Sequence, residues 1–230
     1  MKSLSNLSSL LVLLFISSIS NAQLNQNQQT NAPALTNGVG LGEQFYTAPP
    51  YQKKLLGNPY LDEDWKKGKL KVKGSNQVFT LDQLKYDVAN DLFELFIDNK
   101  VVNISGSNVV SFELSDNENV LNRRFIRAAD YTIDGKQVDG YFEVLHEGEV
   151  LLFERSYAYI KKATYNQALM IGEIDDTILI KAEYYYTSGP SEVVHIKKTK
   201  DLKPLTQEGS KPKISIDRGE LISFFRASVN

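Results

Sequence analysis

The sequence contains no cysteine, so the chain has no thiol nucleophile, no disulfide, no iron–sulfur cluster and no thiolate zinc site. An exported chain of 230 residues can fold without disulfides when its apolar core is large. The absence of cysteine also excludes the lipid attachment that anchors bacterial lipoproteins. Any association of this chain with a membrane is therefore expected to be non-covalent.

Histidine is almost as scarce, with only His146 and His195. HExxH, paired His-x-His and acidic EF-hand patterns are all missing, so we expect no metal. GxGxxG, GxxxxGK[ST] and GxSxG are missing too, which argues against nucleotide chemistry and against a serine nucleophile elbow. We expect no cofactor and no catalytic residue, and we predict that the protein is not an enzyme.

The first residues predict export. Lys2 is followed by the apolar run 10–16 and then by Ser20-Asn21-Ala22, a pattern typical of a secretory signal peptide cleaved after Ala22. The apolar run is too short to span a bilayer, so a membrane anchor is the weaker interpretation. Residues 23–54, rich in Gln, Asn, Thr and Pro, are predicted to form a flexible leader. The destination is therefore the periplasm, the cell surface or the extracellular space.

The stretch that organises the rest of the chain is 141–160, YFEVLHEGEVLLFERSYAYI. It predicts a β-hairpin whose two-residue turn is Glu147-Gly148, which would place Phe142 opposite Phe153. This pairing puts Phe142, Val144, Leu151 and Phe153 on a dry face. The other face, with Tyr141, Glu143, Leu145, Val150, Leu152 and Glu154, is expected to be partly wetted.

Short strand-like runs separated by turns continue on both sides of this hairpin. Turns are expected at Asn90-Asp91, Asp98-Asn99, 106–108, Asp134-Gly135 and 188–190. About ten strands result, and 217–227 predicts a short amphipathic helix capped by Asp217 that closes one face or end of the sheet. The fold class is therefore mainly β: an antiparallel meander in residues 55–230, forming a curved sheet, an open barrel or a sandwich, with a short C-terminal helix.

Four segments carry a family resemblance: GNPYLDEDWKKGKLKVKG, LKYDVANDLFEL, VVSFEL and YFEVLHEGEVLLFERSYAYIKK. Over residues 57–162, and more weakly in the final helix, the chain resembles a group of exported β-rich proteins of Bacteroidetes-type bacteria with no known activity. The resemblance implies an exported β protein of the bacterial envelope and supplies no catalytic or binding residues.

Two sets of residues are candidate ligand contacts. Lys69, Lys71 and Lys73 share one face of a predicted strand, where they could bind anionic glycans or lipid headgroups; the alternative is an edge strand whose lysines discourage association. Tyr184 and Tyr186, in a run of three tyrosines, could stack on a sugar, although tyrosines also favour strands for packing alone.

Paired carboxylates are harder to exclude, since a glycosidase needs only two at a suitable separation. The candidates are Asp62, Glu63, Asp64, Glu143, Glu154 and Glu183.

The net charge of −2 predicts no general attraction to nucleic acid, so the candidate partners are an envelope protein, a glycan or a lipid. The sequence favours a non-enzymatic envelope protein that acts by binding or assembly through its β domain. A carrier of an apolar ligand, with an internal cavity, and a carbohydrate-binding or glycoside-acting protein are the alternatives.

Overall fold

The computed structural model describes residues 53–115, 122–206 and 212–229. The predicted signal peptide and nearly all of the predicted leader lie outside these residues. So do residues 116–119, whose composition, DNEN, predicts a break between strands. The described residues form thirteen strands and one α-helix: β1 (Leu55–Gly57), β2 (Lys66–Val72), β3 (Val78–Asp87), β4 (Leu92–Ile97), β5 (Lys100–Ser105), β6 (Val109–Ser115), β7 (Asn122–Arg127), β8 (Thr132–Ile133), β9 (Lys136–Gln137), β10 (Tyr141–His146), β11 (Leu152–Lys161), β12 (Asp176–Thr187), β13 (Val193–His195) and α1 (Arg218–Ser228).

Eleven of the strands form one sheet, in the order β1-β12-β11-β10-β7-β6-β2-β3-β4-β5, with β13 on the same edge of β12 as β1. All neighbours are antiparallel except β1 and β12, which are parallel. Among the described strands, β1 and β5 do not pair with each other, so the sheet does not close into a barrel. Strands β8 and β9 form a separate small hairpin. The predicted mainly β fold with a short C-terminal helix is confirmed, as a single large open sheet.

This sheet is strongly curled. Four strands separate β10 from β4, which in a flat sheet would place them about 24 Å apart. The ring centroids of Tyr141 on β10 and Phe93 on β4 are nevertheless only 5.5 Å apart. Gly68 on β2 permits the bend, because a Cβ there would lie 2.5 Å from the Glu113 carbonyl oxygen. Because the sheet curls around its own aromatic side chains, a single sheet buries this core without a second layer of structure.

The buried side chains form three clusters. The first fills the curl and includes Leu70, Phe93, Phe112 and Tyr141. The second, around Phe142, Phe153 and Tyr185, is partly covered by Ile133 of the small hairpin. The third, around Leu152, Tyr186, Leu221 and Phe225, lies between helix α1 and the three strands β10, β11 and β12.

The prediction for the central hairpin is correct in the faces and wrong in the register. Phe142 pairs with Arg155 and Val144 with Phe153, two residues away from the predicted partners, and residues 147–151 form the connection instead of a Glu147-Gly148 turn. A shift of two residues preserves the faces of Phe142, Val144 and Phe153, although a second irregularity in the register follows between Val144 and His146. Phe142 and Phe153 therefore still stack, with centroids 5.0 Å apart.

The prediction that the second face of this hairpin is partly wetted holds for Leu145, Val150 and Glu154, which are half-buried, and is wrong for the other three residues. Tyr141, Glu143 and Leu152 are all buried. Helix α1 covers this face with Leu221 and Phe225, and arginines neutralise Glu143. Asp217 caps the helix as predicted, its side chain accepting a hydrogen bond from the Glu220 amide.

The interpretation of the lysine strand as an edge strand is also wrong. Strand β2 is interior, paired with β3 on one side and β6 on the other. Two neighbours satisfy its backbone, so its lysines are not needed to protect an open edge.

Candidate functional site

The predicted lysine and tyrosine sites lie apart. Strand β2, with Lys69 and Lys71, is separated from β12, with Tyr184 and Tyr186, by four strands of the sheet. The sequence therefore identifies two regions that the fold does not bring together into one site.

All three lysines are exposed. Lys69 Nζ lies 3.4 Å from Glu113 Oε2 on the neighbouring strand, so part of its charge is neutralised. Lys73 lies beyond the end of β2, and its backbone N–H donates to the Asn108 carbonyl. The lysines form an exposed, partly compensated row and stay a predicted anion site.

The two tyrosines differ in access. Tyr186 is only 4% exposed, and its hydroxyl donates to the Asp201 carbonyl oxygen at 3.2 Å. Its ring belongs to the cluster with Leu152 and Phe225, so it packs in the core. Tyr184 is half-buried at the margin of that cluster. The rings of Tyr184 and Tyr186 therefore do not form one exposed platform on which a sugar could stack.

Three of the carboxylates named from sequence, Asp62, Glu143 and Glu154, converge on a pair of arginines that sequence reasoning missed. Glu143 and Glu154 are paired residues on β10 and β11. Glu143 accepts hydrogen bonds from Arg123 and Arg218, and Arg218 also donates to Glu154 Oε2 at 2.8 Å. Arg123 in turn binds Asp62 at 3.0 Å. We call these five residues the arginine–carboxylate cluster.

The pKa values of the two glutamates in this cluster are shifted in opposite directions. Burial alone would raise the pKa of Glu143, but the hydrogen bonds from Arg218 and Arg123 outweigh burial and hold the pKa below its ordinary value. Burial raises the pKa of Glu154 above its ordinary value despite the charge of Arg218, and the charge of Glu143 adds to the rise. Such a split is typical of acid–base pairs, and it also arises in structural ion networks.

The geometry of the cluster favours the structural interpretation. The Arg218 guanidinium bonds both glutamates and so occupies the space between them, where a glycosidic oxygen would have to lie. The other named carboxylates lie elsewhere: Glu183 accepts from the Tyr185 hydroxyl at 2.7 Å, and Glu63 and Asp64 are exposed before β2. The cluster binds α1 to the sheet.

The histidines have separate surroundings. His146 lies near Phe225, with ring centroids 6.1 Å apart. His195 stacks on Tyr185 at 4.6 Å, and burial lowers its pKa. In the part of the chain that the structure describes, no group of three His, Asp or Glu side chains is placed to hold a metal ion.

Two surface hollows are open to solvent. One, of about 670 Å³, is lined by Thr199, residues 212–215 and Glu220, and the other, of about 360 Å³, lies beside the β8–β9 hairpin and Arg155. Both have charged side chains in their walls. Neither has the character of the closed apolar cavity that carriage of an apolar ligand requires.

The most unusual surface belongs to the long hairpin of β11 and β12. These strands pair over ten residue pairs, from Leu152 with Tyr186 to Lys161 with Thr177. From residue 154 to residue 184, no residue of the hairpin is buried. We call residues 154–184 the arm. Several of its large apolar side chains are exposed: Tyr159, Ile160, Tyr165, Leu169, Met170, Ile171, Ile174 and Leu179.

At the end of the arm, Leu169, Met170 and Ile171 are exposed to 63%, 81% and 61%. We call residues 163–172 the tip. Hydrogen bonds fix its backbone: the Asn166 amide donates to the Ile171 carbonyl at 2.8 Å, and the Asn166 side chain accepts from the amides of residues 168 and 169. The tip therefore presents three consecutive apolar side chains from an ordered turn.

Residues 164–176, TYNQALMIGEIDD, have no clear helix or strand period, so sequence reasoning assigns them no element and no role. One signal was available: residues 163–172 are uncharged and contain the run Ala168-Leu169-Met170-Ile171. Such a run between two strands of similar length predicts either a buried strand or an exposed apolar turn. Only the pairing of β11 with β12 decides between them.

Comparisons of the chain with protein-family models, with characterised proteins and with solved structures give no match. The resemblance to exported Bacteroidetes-type proteins stays a prediction. Among the described residues, no helix has the length and apolar character needed to cross a bilayer.

Proposed function

We propose that this chain is an exported protein of the bacterial envelope that acts without catalysis, by binding through the arm of its β domain. The observation that carries this proposal is the tip, where Leu169, Met170 and Ile171 are exposed together on an ordered turn. Contiguous exposed apolar side chains are typical of interaction sites, because a chain that works alone gains stability by covering them.

Export is supported by the N-terminal pattern of Lys2, the apolar run 10–16 and Ser20-Asn21-Ala22. The arm touches the packed body of the domain only at its base, where Tyr184 packs at the margin of the third cluster and Glu154 binds Arg218; none of its residues is buried. A segment of this kind can bind a partner without disturbing the core that holds it.

The two alternatives predicted from sequence have weaker support. Hydrolysis needs space between two carboxylates, and the Arg218 guanidinium lies between Glu143 and Glu154. Carriage needs an enclosed apolar cavity, and the two described hollows are open and partly charged. Surface binding requires neither feature.

The proposal is tested by fractionating envelopes of cells that produce the full chain. In the tip variant, Leu169→Ser, Met170→Ser and Ile171→Ser are combined. The control combines Val78→Ser and Val101→Ser, which change apolar side chains that are 56% and 53% exposed on β3 and β5, toward the other end of the strand order. Both variants should keep the thermal midpoint of the natural chain, because none of the five side chains is buried.

We expect the natural chain and the control to sediment with the envelope and the tip variant to remain in the soluble fraction. Equal retention of all three chains would overturn the proposal that the arm is the binding surface. Recovery of the natural chain in the cytoplasm would overturn the proposed export.

A further inference from the structure

We infer that the tip binds the surface of a lipid bilayer with zwitterionic headgroups, by shallow insertion of Leu169, Met170 and Ile171. This inference rests on the proposed function, since it names the partner of the same surface. Five features of the arm support it: the shape of the tip, its backbone hydrogen bonds, its lack of charge, the mixed charges behind it, and its exposed tyrosines.

The shape of the tip suits a soft partner. It is the outer end of a hairpin, and its three apolar side chains are consecutive in sequence. A second copy of this chain would have to offer an apolar socket for them. The two described hollows have Lys213 and Glu220, or Asp134 and Lys136, in their walls and do not match the tip. A bilayer needs no preformed socket.

The backbone of the tip is largely satisfied within the arm itself. The amides of Thr164 and Asn166 donate to the carbonyls of Glu173 and Ile171, and the Glu173 amide donates to the Thr164 hydroxyl at 3.2 Å. The Asn166 side chain accepts from two more amides. Apolar surroundings require such internal bonds, because lipid chains offer no hydrogen-bonding partners. A partner that added a strand would instead need unpaired backbone groups.

Charge is arranged in two zones along the arm. The tip, residues 163–172, has no Asp, Glu, Lys or Arg. Directly behind it, Lys161 pairs with Glu173 at 2.7 Å and Lys162 with Asp176 at 2.9 Å. This zone is close to neutral but carries both signs, and it therefore complements headgroups that carry both a phosphate and a cationic amine.

One tyrosine lies on each side of the charged zone. Tyr165 lies within the tip, and Tyr159 lies behind it with the Lys181 ammonium 3.8 Å from its ring centroid. Both rings are exposed. Tyrosine is enriched at the headgroup level of membranes, because its ring is apolar and its hydroxyl is polar. Tyr165 thus places an aromatic ring between the apolar residues 169–171 and the charged pairs behind the tip, at the depth where a bilayer has its headgroup boundary.

The absence of cysteine makes the first test direct, since Met170→Cys gives the full chain a single thiol for an environment-sensitive fluorophore. Val101→Cys, on β5, is the matched control. With phosphatidylcholine vesicles, we expect blue-shifted emission and quenching by nitroxide-labelled lipid for the label at residue 170. The label at residue 101 should keep its emission in water. Unchanged emission at residue 170 would overturn the inference.

Vesicle flotation tests the role of the side chains and of lipid charge. The natural chain and the Val78→Ser/Val101→Ser control should float equally with phosphatidylcholine vesicles, and binding of the triple tip variant should fall by about ten-fold or more. Adding phosphatidylglycerol should change binding less than about two-fold, since the paired charges behind the tip are nearly balanced. Flotation only with phosphatidylglycerol, or equal flotation of the tip variant, would overturn the inference.

Failure of the inference can be separated from failure of the proposed function. If native envelopes retain the natural chain through the tip, but protein-free vesicles do not bind it and protease treatment of the envelopes abolishes retention, the partner is a protein. The inference is then wrong and the proposed function stands. If neither envelopes nor vesicles distinguish the natural chain from the tip variant, both are wrong.

Discussion

Glu143 on β10 and Arg218 at the start of α1 are 75 residues apart in the chain and are joined by two hydrogen bonds, one of them between Arg218 Nη1 and Glu143 Oε2 at 3.2 Å. The Glu143 carboxylate also binds Arg123 on β7. It therefore links the C-terminal helix to two neighbouring strands. Since the helix covers Leu152 and Tyr186, this carboxylate contributes to closing the third buried cluster.

The first prediction concerns the stability of this link. Glu143→Ala removes a carboxylate that is 3% exposed and leaves two arginines beside an apolar core, so the free energy of unfolding should fall by about 3 kcal/mol. Arg218→Ala should cost less, about 1–2 kcal/mol, because Arg218 is partly exposed and Glu143 keeps Arg123. Urea unfolding measures both values. A smaller loss for Glu143→Ala than for Arg218→Ala would contradict this account.

The second prediction is the pH dependence of the same cluster. The folded-state pKa of Glu143 is lowered, so its stabilising contribution is present above the unfolded value of about 4.3 and is lost as pH falls through the folded pKa. The folded-state pKa of Glu154 is raised, so its contribution has the opposite sign: it is present below about 4.3 and is lost as pH rises through the folded pKa.

Removing Glu143 and removing Glu154 should therefore have opposite effects on how the free energy of unfolding changes below pH 7. Between pH 7 and pH 3, the free energy of unfolding should fall less steeply in Glu143→Gln than in the natural chain, and more steeply in Glu154→Gln. Urea midpoints measured at several pH values give the slopes. Parallel slopes in all three chains would show that these carboxyl groups do not carry the assigned shifts.

The third prediction concerns the curl of the sheet. A Cβ on residue 68 would lie 2.5 Å from the Glu113 carbonyl oxygen and 2.9 Å from Leu84 Cδ2. Gly68→Ala should therefore lower the free energy of unfolding by about 2–3 kcal/mol, since backbone and core must both shift. Gly189→Ala is the control, because the nearest atom to a Cβ there is 4.0 Å away. Its effect should stay within about 0.5 kcal/mol.

Local patterns were sufficient for the strands and several turns. Asp98 and Asn99 were predicted as a hairpin turn, and both have positive φ, as a two-residue turn between twisted strands requires. The turn at Asp134-Gly135 has the same origin. These turns depend on residues adjacent in sequence, so the sequence contains the information directly.

Features that depend on distant residues could not be predicted in the same way. Glu143 was expected at a wetted face, because its neutralisation by Arg123 and Arg218 involves residues 20 and 75 positions away. The predicted hairpin register was wrong because Glu147-Gly148 has the composition of a tight turn. The structure has a longer connection there, residues 147–151. The arm was missed because it depends on the pairing of β11 with β12 along its whole length.

The fourth prediction concerns the order of the tip. Gly172 has φ +105°, and a Cβ there would lie 2.6 Å from the Thr164 carbonyl oxygen. Gly172→Ala should open the turn, so that the amides of Thr164 and Asn166 exchange hydrogen at least about ten-fold faster than in the natural chain. The thermal midpoint should change little, since the arm contains no buried residue.

Gly135→Ala is the matched control for this variant, because residue 135 also has positive φ, at +74°, but no atom lies within 4 Å of a Cβ there. It should leave exchange at Thr164 and Asn166 unchanged. If presentation of the apolar side chains by an ordered turn matters for binding, Gly172→Ala should also weaken envelope retention while Leu169, Met170 and Ile171 are all still present. If Gly172→Ala is fully retained by the envelope although its tip amides exchange hydrogen quickly, the apolar side chains bind without a preformed turn. Their exposure alone would then account for the affinity.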